Sequence, residues 1–159
     1  MRKFIKLEEG GKEMPKWFNK EYIKECDCEE IQNIKNNLER DGKYSLQFNE
    51  GDWWQNRDNK KINVAYQMIW ENRQFYIWLP TGDQLDEEIV KILREKYNTF
   101  GTGKGVEYIS SIRQTRNSEI WECHIFELTR EVERFQQIDV NPLICKIKLL
   151  KELIKNEKS

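Results

Sequence analysis

The stretch Ile62-Asn-Val-Ala-Tyr-Gln-Met-Ile-Trp-Glu-Asn-Arg-Gln-Phe-Tyr-Ile-Trp-Leu79 shows the clearest secondary-structure pattern in the chain. Apolar residues alternate with polar or small ones in its first part, at Ile62, Val64, Tyr66, Met68 and Trp70. That alternation is typical of a half-buried strand. Residues 71–73 predict a turn, and residues 74–79 predict a second strand. We therefore expect an antiparallel hairpin over residues 62–79.

Other elements are predicted on both sides of this hairpin. Helical spacing predicts a helix from about Cys28 to Arg40. Asp27 and Glu30, three positions apart, are expected to form a capping box at its start. Alternation predicts strands over residues 43–48, 106–113 and 119–128, the last two forming a second hairpin. Residues 129–140 fit either a helix or a strand. Apolar residues at helical spacing predict two more helices. Asp83 is expected to cap the first of them, whose apolar residues are Leu85, Ile89, Ile92, Leu93 and Phe100. Asn141 and Pro142 are expected to begin the second, whose apolar residues are Leu143, Ile147, Leu150 and Ile154.

The order helix, strand, hairpin, helix, hairpin, helix predicts the α+β class. We expect a mainly antiparallel sheet of about five strands with two or three helices packed on one face. A chain of 159 residues suits one domain, residues 1–159, in which residues 1–18 form an extended N-terminal arm or an edge strand.

Composition excludes several classes of partner. Lys and Arg number 27 against 28 Asp and Glu, so the net charge of −1 gives no overall attraction to nucleic acid or to acidic membranes. No run of about 18 apolar residues predicts a membrane span, and no signal peptide is evident. We expect a soluble, cytoplasmic protein whose four cysteines are reduced.

Two adjacent tryptophans stand in the otherwise polar stretch Glu50-Gly-Asp-Trp-Trp-Gln-Asn-Arg-Asp-Asn-Lys-Lys61, which the pattern assigns to a loop. Trp53 and Trp54 either cover the hydrophobic core or contact a ligand. We expect one of the two rings to cover the hydrophobic core and the other to contact a ligand. The other four tryptophans have plausible packing positions in strands or in the N-terminal arm.

Few residues suggest catalysis or a cofactor. His124, the single histidine, is predicted to lie on the polar face of a strand, with adjacent Cys123 pointing to the opposite face. Cys26 and Cys28 are spaced too closely for a common zinc motif, and a zinc site would also need Cys145 with Cys123 or His124. The glycine-rich residues 99–105 leave a helix, whereas a phosphate loop enters one. We expect no catalytic residues, no metal and no cofactor.

Three functions remain open. The first is a non-catalytic binding protein for a protein partner, such as a phage or mobile-element inhibitor or an immunity-type protein in host–phage conflict. The alternative is a nucleic-acid-binding accessory domain that stacks bases on tryptophans. The third is a small enzyme that uses cysteine or carboxylate chemistry. The oligomeric state stays open. The candidate binding residues are Trp53, Trp54, Arg57, Lys60, Lys61, Arg113 and Arg116.

Overall fold

A computed structural model describes residues 13–36, 45–97, 106–114, 119–127 and 132–157 of the chain. The class is α+β, as predicted, and the described strands form three antiparallel sheets. The chain divides into two compact units, Met1–Thr81 and Gly82–Ser159. Whether these two units behave as the single predicted domain stays a prediction, and the predicted arm lies largely outside the described residues.

The first unit combines short helices with five strands. Its elements are α1 (Lys20–Cys26), α2 (Glu29–Gln32), a 3-10 turn (Asn33–Lys35), β1 (Ser45–Phe48), β2 (Trp53–Asn56), β3 (Ile62–Val64), β4 (Ile69–Asn72) and β5 (Tyr76–Leu79). The strands form a pair, β1–β4, and a three-stranded sheet in the order β3-β2-β5. The stretch predicted as a tryptophan loop therefore contains β2, the central strand of a sheet.

The hairpin predicted over residues 62–79 is wrong in its pairing. β3 pairs with β2, whereas β4 pairs with β1 and β5 returns to β2. The chain leaves the first sheet after Ala65, whose N–H donates to Asp52 O at 2.8 Å, and bends at Tyr66 and Gln67 before entering β4. The alternation predicts one strand from Ile62 to Trp70, whereas the structure has two short strands separated by a bend. It also carries no information about which strands become neighbours.

The helix predicted over residues 28–40 is much shorter in the structure. It ends by Lys35, and extended Asn36 bridges to Leu46. The predicted capping box is also wrong, because Asp27 ends α1 and α2 begins without a side-chain cap. Of α1 and α2, the helix with a side-chain cap is α1, where Asn19 is the N-cap. The Oδ1 of Asn19 accepts a hydrogen bond from Tyr22 N at 2.8 Å and so satisfies a free N–H of the first helical turn.

Gln32 completes the outer edge of β5. Its side chain is buried, and its Oε1 accepts from Trp78 N at 2.8 Å while its Nε2 donates to Trp78 O at 3.0 Å. The same Nε2 donates to Cys26 O at 2.9 Å. One amide therefore takes the place of a neighbouring strand and satisfies buried backbone groups that would otherwise lack partners.

In its described residues, the second unit has a three-stranded sheet and two helices. It contains α3 (Gly82–Tyr97), β6 (Val106–Gln114), β7 (Glu119–Glu127), β8 (Val132–Asp139) and α4 (Pro142–Glu157), with strand order β6-β7-β8. The second hairpin is confirmed, and residues 132–139 form a strand. Asn141 caps α4 as predicted, accepting from Leu143 N at 2.9 Å, with Pro142 as the first helical residue.

The core of the second unit lies between its helices and one sheet face. α4 packs on α3, β7 and β8, and its predicted apolar residues Leu143, Ile147 and Leu150 are buried. In α3, the predicted residues Leu85, Ile89, Ile92 and Leu93 are buried too, whereas Phe100 lies outside the described residues. The predicted amphipathic faces of both helices are thus the faces that pack.

Replacing Gln32 tests the edge arrangement. Gln32→Ala should lower the free energy of unfolding by about 2–4 kcal/mol, because it leaves the N–H and C=O of Trp78 buried without partners. Urea denaturation measures this value. Gln74→Ala, at an exposed position, is the control and should change stability by less than about 0.5 kcal/mol. Equal, small effects of both substitutions would contradict the assigned role of Gln32.

Candidate functional site

Trp53 and Trp54 point to opposite faces of β2, as neighbouring residues of a strand must. Trp53 is 4% exposed, and its ring meets the Phe18 ring edge to face with centroids 5.9 Å apart. Trp54 is half-buried between Phe48, at 6.2 Å in a stacked arrangement, and Tyr76, at 4.8 Å in an edge arrangement. Trp53 thus belongs to the core, and Trp54 fills the opposite side of the same strand.

Arg57 connects the end of β2 to two other segments. Its guanidinium makes a two-pronged ion pair with Asp27, at 2.7 and 2.8 Å. Its Nε donates to Arg73 O at 3.2 Å, and its backbone N–H donates to Phe75 O at 2.8 Å. A guanidinium held in this way has its charge balanced and its orientation set, so it serves as a clamp within the first unit.

Lys60 and Lys61 form the exposed end of the turn between β2 and β3. Lys60 has a φ of 63°, a left-handed conformation that is uncommon for a residue with a side chain. The turn is held by Asn56, whose Oδ1 accepts from Asp58 N at 2.8 Å and from Asn59 N at 3.2 Å. Both lysines therefore extend from an ordered turn.

The two remaining candidate arginines belong to the second unit. Arg113 lies in β6, where it pairs with Ile120 of β7. Arg116 lies outside the described residues. The structure therefore groups five of the seven candidate residues in β2 and its turn: Trp53, Trp54, Arg57, Lys60 and Lys61.

A groove of about 720 Å³ lies beside this turn, within the first unit. Its lining residues are Asn56, Arg57, Asp58, Glu71, Asn72, Phe75 and Tyr76. They come from the β2–β3 turn, from the end of β4 and from the turn into β5. Sequence reasoning found Arg57 but missed Glu71, Phe75 and Tyr76, because the predicted hairpin treated them as ordinary strand and turn residues.

Phe75 is the most exposed ring of the groove. Its side chain is 54% exposed, although its backbone is held on both sides. Its N–H donates to Asn72 O at 3.0 Å, and its carbonyl accepts from Arg57. Tyr76, the next residue, is half-buried against Trp54. The groove thus presents the exposed Phe75 ring on a hydrogen-bonded backbone and the Tyr76 ring, which packs against Trp54.

The groove has an acidic character. Beyond the Arg57–Asp27 pair, Asp58 and Glu71 contribute carboxylates, and neither forms an ion pair with another described residue. Burial raises the pKa of Glu71 above its ordinary value of 4.5. A carboxylate that loses water without gaining a cation is destabilised, so its charged form would gain from a cationic ligand.

The second unit contains two close thiols in its core. Cys123 and Cys145 are fully buried and free of disulfides. The S–H of Cys145 lies 2.9 Å from Gln137 O and 3.5 Å from Trp121 O. A hydrogen bond from Cys145 lowers the pKa of Cys123, and the same contact together with burial raises the pKa of Cys145. These contacts satisfy the thiols inside the core, and full burial keeps them from solvent.

Polar residues beside the thiols form a closed network. Tyr108 donates to Asp86 Oδ1 at 2.6 Å, and Lys146 Nζ lies 3.0 Å from Asp86 Oδ2. His124 points away from Cys123, as predicted, and its Nε2 lies 3.4 Å from Glu122 Oε2. A catalytic pair of these adjacent residues is therefore excluded by the geometry of the strand.

Metal and membrane sites are absent from the part of the chain that the structure describes. Its His, Cys, Asp and Glu side chains form no group of three or more that could hold a metal ion. Its helices are too short or too polar to cross a membrane. No protein-family model, curated protein or solved structure matches the chain.

The thiols should be inert in the folded protein. Iodoacetamide should label half-buried Cys28 much faster than Cys123 and Cys145, because both core thiols have no exposed surface. Peptide mass spectrometry measures the labelling at each position. All four cysteines should react after unfolding in urea, which serves as the control. Rapid labelling of native Cys123 would revive the hypothesis of cysteine chemistry.

Glu71 should make stability depend on pH in a defined direction. Its pKa is raised in the folded state, so proton binding favours folding and the charged form costs stability as pH rises through the window above about 4.5. Glu71→Gln should therefore be slightly more stable than wild type at pH 7 and lose this advantage at pH 4, with an effect kept small by the partial exposure of the carboxylate. Urea denaturation at both pH values measures the difference. A less stable variant at pH 7 would show that the carboxylate has a favourable partner.

Proposed function

We propose that the protein is a non-catalytic, cytoplasmic binding protein that engages a protein partner through the groove of the first unit. The observation that carries this proposal is the Phe75 ring, which is 54% exposed on a backbone fixed by two hydrogen bonds. Interface hot spots favour large side chains that need little reordering on binding. An inhibitor or immunity-type protein would be one form of such a function.

The architecture around Phe75 supports a stable binding surface. Arg57 joins the floor of the groove to α1 through Asp27, and Arg73 Nη1 donates to Asn33 Oδ1 at 2.8 Å. The two turns that line the groove are thereby tied to the helical segment of the same unit. A partner would meet a surface that is already formed, which lowers the entropic cost of association.

Nucleic-acid binding is less well supported by the same groove. Stacking proteins combine exposed rings with cations that contact phosphates. Here Trp53 is buried, Trp54 is packed between two rings, and Arg57 is neutralised by Asp27. Asp58 and Glu71 would repel phosphates. Lys60 and Lys61 remain as exposed cations, but they do not line the groove.

A photo-crosslinking experiment tests the proposal. We would place p-benzoylphenylalanine at position 75 or, as a control, at position 68, because Phe75 and Met68 are both 54% exposed but only Phe75 lines the groove. Irradiation in the source cell should crosslink a discrete protein from position 75 and not from position 68. Mass spectrometry identifies the crosslinked chain.

Substitutions then measure the contribution of the ring. Phe75→Ala should weaken binding of the identified partner about tenfold or more, as removal of a hot spot does, whereas Met68→Ala should not. Isothermal titration calorimetry gives both affinities. Identical crosslinking from positions 75 and 68, or unchanged affinity of Phe75→Ala, would defeat the proposal. Nuclease-sensitive crosslinks would instead favour the nucleic-acid alternative.

A further inference from the structure

We propose that the groove of the first unit receives a cationic side chain, an arginine or a lysine, from the protein partner. This inference rests on the proposed function and adds the chemistry of the contact. Two carboxylates and two aromatic rings line one groove, and a cation on an apolar stem is the group that both of these features attract.

The charge balance of the groove supports a cationic ligand. Arg57 is the sole cation among its lining residues, and both guanidinium N–H groups that face Asp27 are used in the ion pair. Asp58 and Glu71 are therefore the charged lining residues that no described ion pair balances. An arginine from a partner could make with either carboxylate the same two-pronged contact that Arg57 makes with Asp27.

The rings provide the second attraction. A cation within about 6 Å of an aromatic centroid is attracted by the negative face of the ring, most strongly where water is excluded. The chain already uses this interaction elsewhere, since Lys35 Nζ lies 5.1 Å from the Trp78 ring. In the groove, Phe75 is exposed and Tyr76 is held edge-on to Trp54, so ring surface is available to the stem and the charge of an entering side chain.

The state of Glu71 points the same way. It is half-buried at the end of β4, opposite Leu46 of β1, and burial raises its pKa. Asp52 shows the contrasting situation in the same unit, because that buried carboxylate lies 2.7 Å from Lys35 Nζ and also accepts from Asn49 N. Asp52 has an internal cation, whereas Glu71 has none among the described residues.

A matched pair of peptides tests the inference on the full chain. The probes are acetyl-Gly-Arg-Gly-amide and its citrulline counterpart, which keeps the shape of arginine without its charge. Titration into the ¹⁵N-labelled protein should shift the backbone amides of residues 71–76 with the arginine peptide, with a Kd on the order of millimolar for so small a contact. The citrulline peptide should bind at least about fivefold more weakly, because it lacks the charge that attracts carboxylates and rings.

A charge-matched pair of variants tests the contribution of Glu71, the more buried of the two carboxylates and the one we expect to make the contact. Glu71→Gln should weaken the arginine peptide at least about threefold, whereas Glu50→Gln, which removes the same charge from an exposed position outside the groove, should not. Equal shifts with both peptides, no shift with either, or equal losses in both variants would overturn the inference. These outcomes leave the crosslinks from position 75 unaffected, so a failure of the cationic contact is distinguishable from a failure of the proposed function.

Discussion

The first unit depends on a central strand, β2, that is packed on both faces. Trp53 fills the side occupied by Phe18 and the neighbouring Tyr22 ring, and Trp54 fills the side occupied by Phe48 and Tyr76. Because strand residues alternate between faces, two adjacent large rings are what such a strand requires. The Lys35–Asp52 ion pair holds the residue before β2 to the 3-10 turn. Arg57 performs the corresponding task at the opposite end.

This packing explains why the fold was only partly predictable from sequence. Amphipathic helices such as α3 and α4 have one buried face and leave a readable periodicity. In β2 one face is buried and the other is half-buried, and large rings occupy both, so its residues do not alternate in polarity and resemble a loop that contains tryptophans. Without β2 as a predicted strand, β3 and β5 have no predicted partner except each other. For β4 the partner is the predicted strand over residues 43–48, but alternation within residues 62–79 does not indicate that pairing.

The candidate site was predictable to a similar degree. Sequence composition draws attention to the segment around Arg57, because rings and cations are frequent in interfaces. It did not show that Asp27, 30 positions away, would neutralise that arginine. Nor did it show that Glu71 and Phe75, from a different turn, would join it in one groove. Both the Arg57–Asp27 ion pair and the position of Glu71 and Phe75 beside it depend on contacts between residues far apart in the sequence. The periodicity of a short sequence segment gives no information about such contacts.

The Arg57 clamp also determines what the groove can bind. A free arginine at this position would favour an anionic ligand, phosphate included. The two-pronged contact with Asp27 removes that charge while leaving the backbone N–H of Arg57 to hold Phe75 in place. The same residue therefore supports the exposed Phe75 ring, and Asp58 and Glu71 remain as the unbalanced charges among the lining residues. Lysine could not reproduce this arrangement, because its point charge lacks the planar fork that joins Asp27 and the Arg73 carbonyl at once. The structural role of Arg57 is thus the basis for proposing a cationic rather than an anionic ligand for the groove.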